Sequence, residues 1–127
     1  MMVGMSIMVK RIYDEPEPDD GCRILVDRLW PRGMSRERTA LDLWLKDIAP
    51  SPGLRKWFGH DPARFAEFAE RYREELDANV ETVASLRDII MTHETVTLLY
   101  AAKNPLANHA VVLRDYMAGD TGIIKSR

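Results

Sequence analysis

At 127 residues, 46% apolar and 30% charged, the chain fits one domain that buries about two thirds of its unfolded surface. A formal net charge of −2 without any long like-charge block argues against a general nucleic-acid or membrane-surface binder. The single cysteine, Cys22, excludes an intramolecular disulfide and suits a reducing cytoplasm.

The apolar start, MMVGMSIMV, has no basic leader and runs into Lys10-Arg11, the reverse of a signal peptide. No stretch approaches the ~18 apolar residues of a membrane span. The expectation is a soluble, cytoplasmic protein, with three methionines in the first five residues leaving the native start open. Ser6–Tyr13 places Ile7, Val9 and Ile12 at apolar positions, a first strand. The acidic, Pro-rich Asp14–Gly21 reads as a loop.

Arg23–Leu29 is a short apolar run, stopped by Trp30-Pro31-Arg32-Gly33. It reads as a strand buried on both faces that ends in a turn. Charges at the end of such a strand are costly unless paired or facing a cleft, which makes Asp27, Arg28 and Arg32 site candidates. Ser35 can cap a short helix. Ala40–Ile48 fits a helical face through Leu41, Trp44, Leu45 and Ile48, and a strand through Leu41, Leu43 and Leu45.

Ser51-Pro52 is an N-cap followed by a first-turn proline, with Leu54, Trp57 and Phe58 inward and Gly59 as terminator. Asp61-Pro62 repeats the device ahead of Phe65, Phe68, Ala69, Tyr72 and Leu76, the clearest helical period in the chain. Glu67–Arg71 and Arg73–Asp77 have i,i+4 spacing on its wet side. A break near Asp77–Asn79 precedes a second helix through Val83, Leu86 and Ile90. Thr95–Ala102 is β-branched and aromatic, a second interior strand ended by Lys103-Asn104-Pro105. Asn108 then opens an amphipathic helix that closes near Gly119, and the tail can pair at a sheet edge or fray.

Interior strands separated by helices predict a mostly parallel sheet with helices on both sides. Ligands sit at the carboxyl ends of such strands. The two marked ends, Asp27–Arg32 and Lys103–His109, therefore share one rim. Arg28 and Arg32 can clamp a phosphate or carboxylate, or pair with Asp27 to lock the turn. Asn108 and His109 begin a helix that favours an anion. His109 can act as acid or base, or simply donate to a backbone carbonyl. Lys103 can add charge, Tyr100 belongs to core or site, and Trp30, Trp44 and Trp57 read as core or cleft walls before a nucleobase platform, with stacking on one of them left open. His60, His93 and His109 have no metal-ligand spacing, and Cys22 lies at the far end of its strand. Neither metal nor cofactor is expected.

The strings VDRLWPRG, DIAPS-x-x-LRKWFGHDP and TLLYAAKNPLANHAVVL resemble the YeaO-like family of small uncharacterised bacterial proteins, a branch of a broader superfamily of unknown function. The wider pattern has an Asp-Val-Arg-x-x-Pro-x-Ser-Arg turn, which Asp27, Arg28 and Arg32 approximate, and a later Cys-His-Arg, whose histidine His109 matches. Tyr100 and Ala102 replace its first cysteine and glutamate, and Asn108-His109-Ala110 replaces Cys-His-Arg, so a thiol reaction does not carry over. The resemblance implies a strand over Leu41–Lys46. The fold expected is α/β, a Rossmann-like, mostly parallel sheet of about four strands flanked by helices, in one domain.

The leading expectation for function is binding of a small anionic ligand, such as a nucleotide-derived metabolite. Its site comprises Asp27, Arg28, Trp30, Arg32, Tyr100, Lys103 and Asn108, with hydrolysis or modification by His109 as a further step. The alternative is a non-catalytic protein-interaction or regulatory module, with a homo-oligomer as one form of it. Whether the chain is an enzyme stays open at this point. A nucleic-acid partner is not expected, because it needs a basic stripe that the net charge does not indicate.

Overall fold

The computed structural model describes residues 6–121 and 124–125. Five strands form one sheet: β1 (Ser6–Arg11), β2 (Cys22–Leu25), β3 (Leu43–Trp44), β4 (Thr95–Tyr100) and β5 (Ile124–Lys125). Their order is β3-β2-β4-β1-β5 and every pairing is parallel. The register sets Arg11 beside Tyr100 and Leu25 beside Leu99, so the carboxyl ends of β1, β2 and β4 share an edge. The arrangement is the Rossmann-like α/β sheet expected. The tail pairs with β1 through Ile124–Lys125.

Alternation along each strand divides the side chains between two faces. Ile7, Ile24, Val26, Val96, Leu98 and Tyr100 meet one large core. That core is supplied by α2 (Pro52–Phe58), α3 (Phe65–Ala78), α4 (Val80–Met91) and α5 (His109–Thr121). Leu25, Leu99 and Ile12 meet a smaller core of Met34, Trp30, Leu41 and Trp44. Helices on both sides were expected; instead, the four longer helices all lie on one face. The other face is closed by loops and α1 (Arg36–Thr39).

Capping residues act where the sequence places them. Ser35 accepts from the Arg38 N–H (3.1 Å), Ser51 from that of Leu54 (3.2 Å) and Asp61 from that of Ala63 (3.0 Å). Phe58 and Phe68 stack at 4.2 Å, which joins α2 to α3. Several details differ from the sequence reading, among them α5, which runs through Gly119 to Thr121. Strand β2 ends at Leu25 rather than Leu29, since the chain turns away at Asp27. The ambiguous 40–48 segment resolves into the two residues of β3 and a 3-10 turn, Lys46–Ile48. Arg71 pairs with Glu67, but Asp77 instead accepts from the Tyr116 hydroxyl (2.7 Å).

The acidic loop is also more than a loop. Its 3-10 turn, Pro18–Asp20, buries Asp20 against Arg23, with side-chain exposures of 4% and 5% and a 2.5 Å contact. Arg23 also donates to the carbonyls of Thr39 (2.8 Å) and Ala40 (3.1 Å). Lys10 donates to the carboxylates of Glu17 and Asp20. The Thr97 hydroxyl donates to the Asp20 carbonyl (2.6 Å). Gly21, at φ +65°, permits this turn, since a Cβ there would lie 2.3 Å from the Thr95 carbonyl oxygen.

Burial raises the affinity of the Asp20 carboxyl for a proton, but bonds from the Glu17 N–H, Lys10 and Arg23 outweigh it. Its pKa is lowered below the ordinary carboxylate value. Asp20→Asn, which leaves a buried guanidinium uncompensated, is expected to cost about 3 kcal/mol at neutral pH. Because the folded pKa is depressed, that contribution is complete above the ordinary value and is lost as pH falls through the folded one. Urea unfolding across pH should show wild type and variant converging only in acid.

Candidate functional site

The site is built where β2 leaves the sheet. The Val26 N–H still reaches the Leu99 carbonyl (3.0 Å), and Asp27 then breaks the ladder. Its Oδ2 accepts from the Ala101 N–H just past β4 (3.0 Å), while its carbonyl accepts from the Trp44 indole N–H (2.8 Å). Opposite stands the start of α5. Asn108 caps it: Oδ1 accepts from the Val111 N–H (3.0 Å) and Nδ2 donates to the Asn104 carbonyl (2.9 Å). Asn104 Oδ1 in turn takes the N–H groups of Leu106 and Ala107 (2.9 and 3.0 Å), which folds the 103–108 connection tightly.

That geometry delivers His109 to Asp27. Nε2 of His109 lies 3.0 Å from Asp27 Oδ1 and 3.0 Å from the Val26 carbonyl oxygen. A nitrogen facing two oxygens at this distance carries the proton, since a lone pair there would be repelled by both. The N–H points at Val26, so Asp27 Oδ1 is buried with an electrostatic neighbour but no aligned donor. His109 and Asp27 are each 16% exposed. The remaining ring nitrogen, Nδ1, meets no protein partner among the described residues.

Two tyrosines flank the pair. Tyr72 contacts the His109 ring edge-on with centroids 6.3 Å apart, and its hydroxyl donates to the Ile48 carbonyl (2.7 Å). Burial, then the charges of Glu75 and Asp27, hold its pKa well above the ordinary phenol value. Tyr100 is buried in the main core, and its pKa too is raised, by burial and then by Asp14. Neither phenol ionises near neutrality.

The structure gathers Asp27, Asn108, His109 and Tyr100 in one place. The Arg28 guanidinium turns aside to the carbonyls of Ala49 (3.2 Å) and Pro50 (3.4 Å), so Asp27 pairs with the histidine rather than an arginine. Arg32 and Lys103 are exposed on the adjoining loops. Trp30 lies toward the second face, its indole N–H on the Met34 carbonyl (2.8 Å). Sequence reasoning missed Arg11, whose Nε donates to the Ala102 carbonyl (3.0 Å) at this edge. A charge at the end of an interior strand was the signal, the same one that singled out Asp27.

A cavity of about 610 Å³ opens at the opposite, amino edge, lined by Asp19, Cys22, Asp42, His93 and Glu94 among others. Burial and then Asp42 push the Cys22 thiol pKa up, which disfavours a thiolate there. Among the described residues, no cluster of three or more His, Cys, Asp or Glu is arranged to hold a metal ion. Nor is any helix long and apolar enough to cross a membrane.

A family model described as the inactive DUF488-N3 subclade (DUF488-N3i) matches residues 6–122. The chain belongs to this family. It is similar to the uncharacterized protein YeaO of Escherichia coli K12, with 48% identity over 89% of this chain and 97% of that protein. The uncharacterized proteins Rv3073c of Mycobacterium tuberculosis H37Rv and Mb3100c of Mycobacterium bovis are 42% identical over 94% of this chain and 99% of theirs. No solved structure matches. Family membership agrees with the YeaO-like resemblance of the motif blocks.

The Asp27–His109 contact yields a direct expectation. In nitrogen-detected NMR, neutral His109 should be the Nε2–H tautomer. His109→Ala, which leaves the Val26 carbonyl without its side-chain donor and Asp27 Oδ1 without its electrostatic neighbour, should cost about 1–3 kcal/mol in urea unfolding.

Proposed function

We propose that the protein binds a small anionic ligand, such as a nucleotide-derived metabolite, at the carboxyl edge of its sheet, without turning it over. The observation that carries this reading is the gathering of cations at that edge. Arg11 closes β1, Arg32 follows β2 and Lys103 follows β4, while Arg28, also after β2, is turned to the Ala49 and Pro50 carbonyls. None of the four is ion-paired among the described residues. The first turn of α5 adds the positive end of its dipole, with its Val111 N–H already taken by Asn108. Arg32 and Lys103 supply mobile charge, while Nδ1 of His109 offers a fixed acceptor for a ligand hydroxyl or N–H.

Three features support binding without chemistry. The matched family carries the word inactive in its description. The Nε2 proton of His109 is committed to the protein. Tyr100, where the wider pattern has a cysteine, is buried with a raised pKa. The lone cysteine fits the reducing cytoplasm in which we place the protein. A protein-facing module is the second reading, favoured by Leu29 and Leu106 at 59% and 79% exposure on the two edge loops.

Titration of ¹⁵N-labelled protein with inorganic phosphate, then a nucleoside monophosphate, tests the first reading. Amides in 28–33 and 102–111 should shift, and Arg32→Ala/Lys103→Ala should weaken binding about tenfold, or about 1.4 kcal/mol. Absence of shifts at millimolar ligand, or shifts confined to the amino edge, would overturn it.

A further inference from the structure

The net charge of −2 hides an uneven distribution. Residues 28–46 carry Arg28, Arg32, Arg36, Arg38 and Lys46 against only Glu37 and Asp42. That segment is therefore +3, and the rest of the chain sums to −5. None of its five cations is ion-paired among the described residues. Arg32, Arg36, Arg38 and Lys46 are exposed, on or beside the sheet face that no long helix covers.

Aromatic rings hold these charges in place. Trp30 and Trp44 meet edge-to-face at 5.3 Å. Arg36 lies 4.7 Å over the Trp30 ring and Lys46 lies 5.3 Å over that of Trp44. At the border, Arg11 sits 4.8 Å over Tyr13, whose hydroxyl donates to the Arg32 carbonyl (2.9 Å). The polar atoms of all three rings are bonded to backbone carbonyls, so the rings are fixed while remaining partly exposed. The strip is open rather than enclosed, which favours an extended partner over a small molecule.

We propose that this strip, from Arg32 through Trp30 and Arg36 to Trp44 and Lys46, binds single-stranded nucleic acid. Cations without carboxylate partners match the phosphates, and the half-exposed indoles match the bases, which can replace the Arg36 and Lys46 groups over the rings. The acidic remainder repels phosphate and confines the strand to this strip. Besides the fixed rings the segment exposes Leu29 (59%) and Leu43 (37%), so a lipid surface is the alternative that the vesicle arm of the experiment excludes. This proposal goes beyond the edge site and shares only Arg32 with its cations; Arg36, Trp44 and Lys46 belong to the strip alone, so the Arg36→Ala/Lys46→Ala test separates the two and either can fail alone.

The experiment uses the full chain with fluorescent single-stranded oligonucleotides, read by anisotropy and by tryptophan quenching. Binding should quench the indoles, and log K should fall linearly with log salt by about 0.7 per neutralised phosphate. Arg36→Ala/Lys46→Ala should weaken binding about tenfold and flatten that slope by about 1–2. The exposed pair Arg55→Ala/Lys56→Ala on α2 should leave both unchanged. Trp30→Phe should retain the fold and keep most of the affinity while losing part of the quench. Equal affinity for inorganic polyphosphate, preference for anionic phosphatidylserine vesicles, or binding indifferent to Arg36→Ala/Lys46→Ala would each overturn the proposal.

Discussion

The exit of the chain from β2 is the constraint on which the rest of the architecture depends. Over two residues, Val26 and Asp27, the backbone stops pairing and becomes the attachment point for three other segments. Asp27 holds the N–H just beyond β4 and takes the indole of β3 on its carbonyl. The His109 imidazole closes the set from the start of α5. A carboxylate this far from water is costly unless its oxygens are answered. Here one accepts from an amide, while the other has the His109 ring nitrogen at 3.0 Å as an electrostatic neighbour without an aligned hydrogen bond. The edge is therefore shaped by electrostatics as much as by packing.

The second face and the carboxyl edge are stabilised by different means. Across the second face a Lys10–Asp20–Arg23 network, from the end of β1 to the start of β2, fastens the first loop. Removing any one member strands a charge, whereas the network as a whole gains little over an apolar replacement. Its role is thus to fix which loop lies where. At the carboxyl edge Arg11, Arg28, Arg32 and Lys103 have no carboxylate partner among the described residues, and Asp27 is engaged by histidine. Such asymmetry sets cationic groups on offer at one end of a chain whose total charge is negative.

Much of this was legible in the residues. Ser51-Pro52 and Asp61-Pro62 act as helix starts because side-chain capping is a local matter that sequence records directly. The shared rim followed from two apolar runs with polar ends, since parallel neighbours place like ends together. What stayed hidden was long-range. Asp20 looks like one acid in a solvated loop until Arg23 and Lys10 fold over it. Arg28 looks like an anion clamp until the carbonyls of Ala49 and Pro50 arrive from 21 and 22 residues away. The one-sided placement of the long helices, and the tryptophan-bearing basic strip it leaves open, were likewise invisible to periodicity. Neither depends on any local pattern.

The central claim is that Asp27 and His109 act as one unit joining β2, β4 and α5. A double-mutant cycle on Asp27→Ala and His109→Ala, read by urea unfolding, tests it most directly. The account predicts a coupling of about 1 kcal/mol or more, with the double variant less destabilised than the sum of the singles. Additivity within about 0.3 kcal/mol would contradict it.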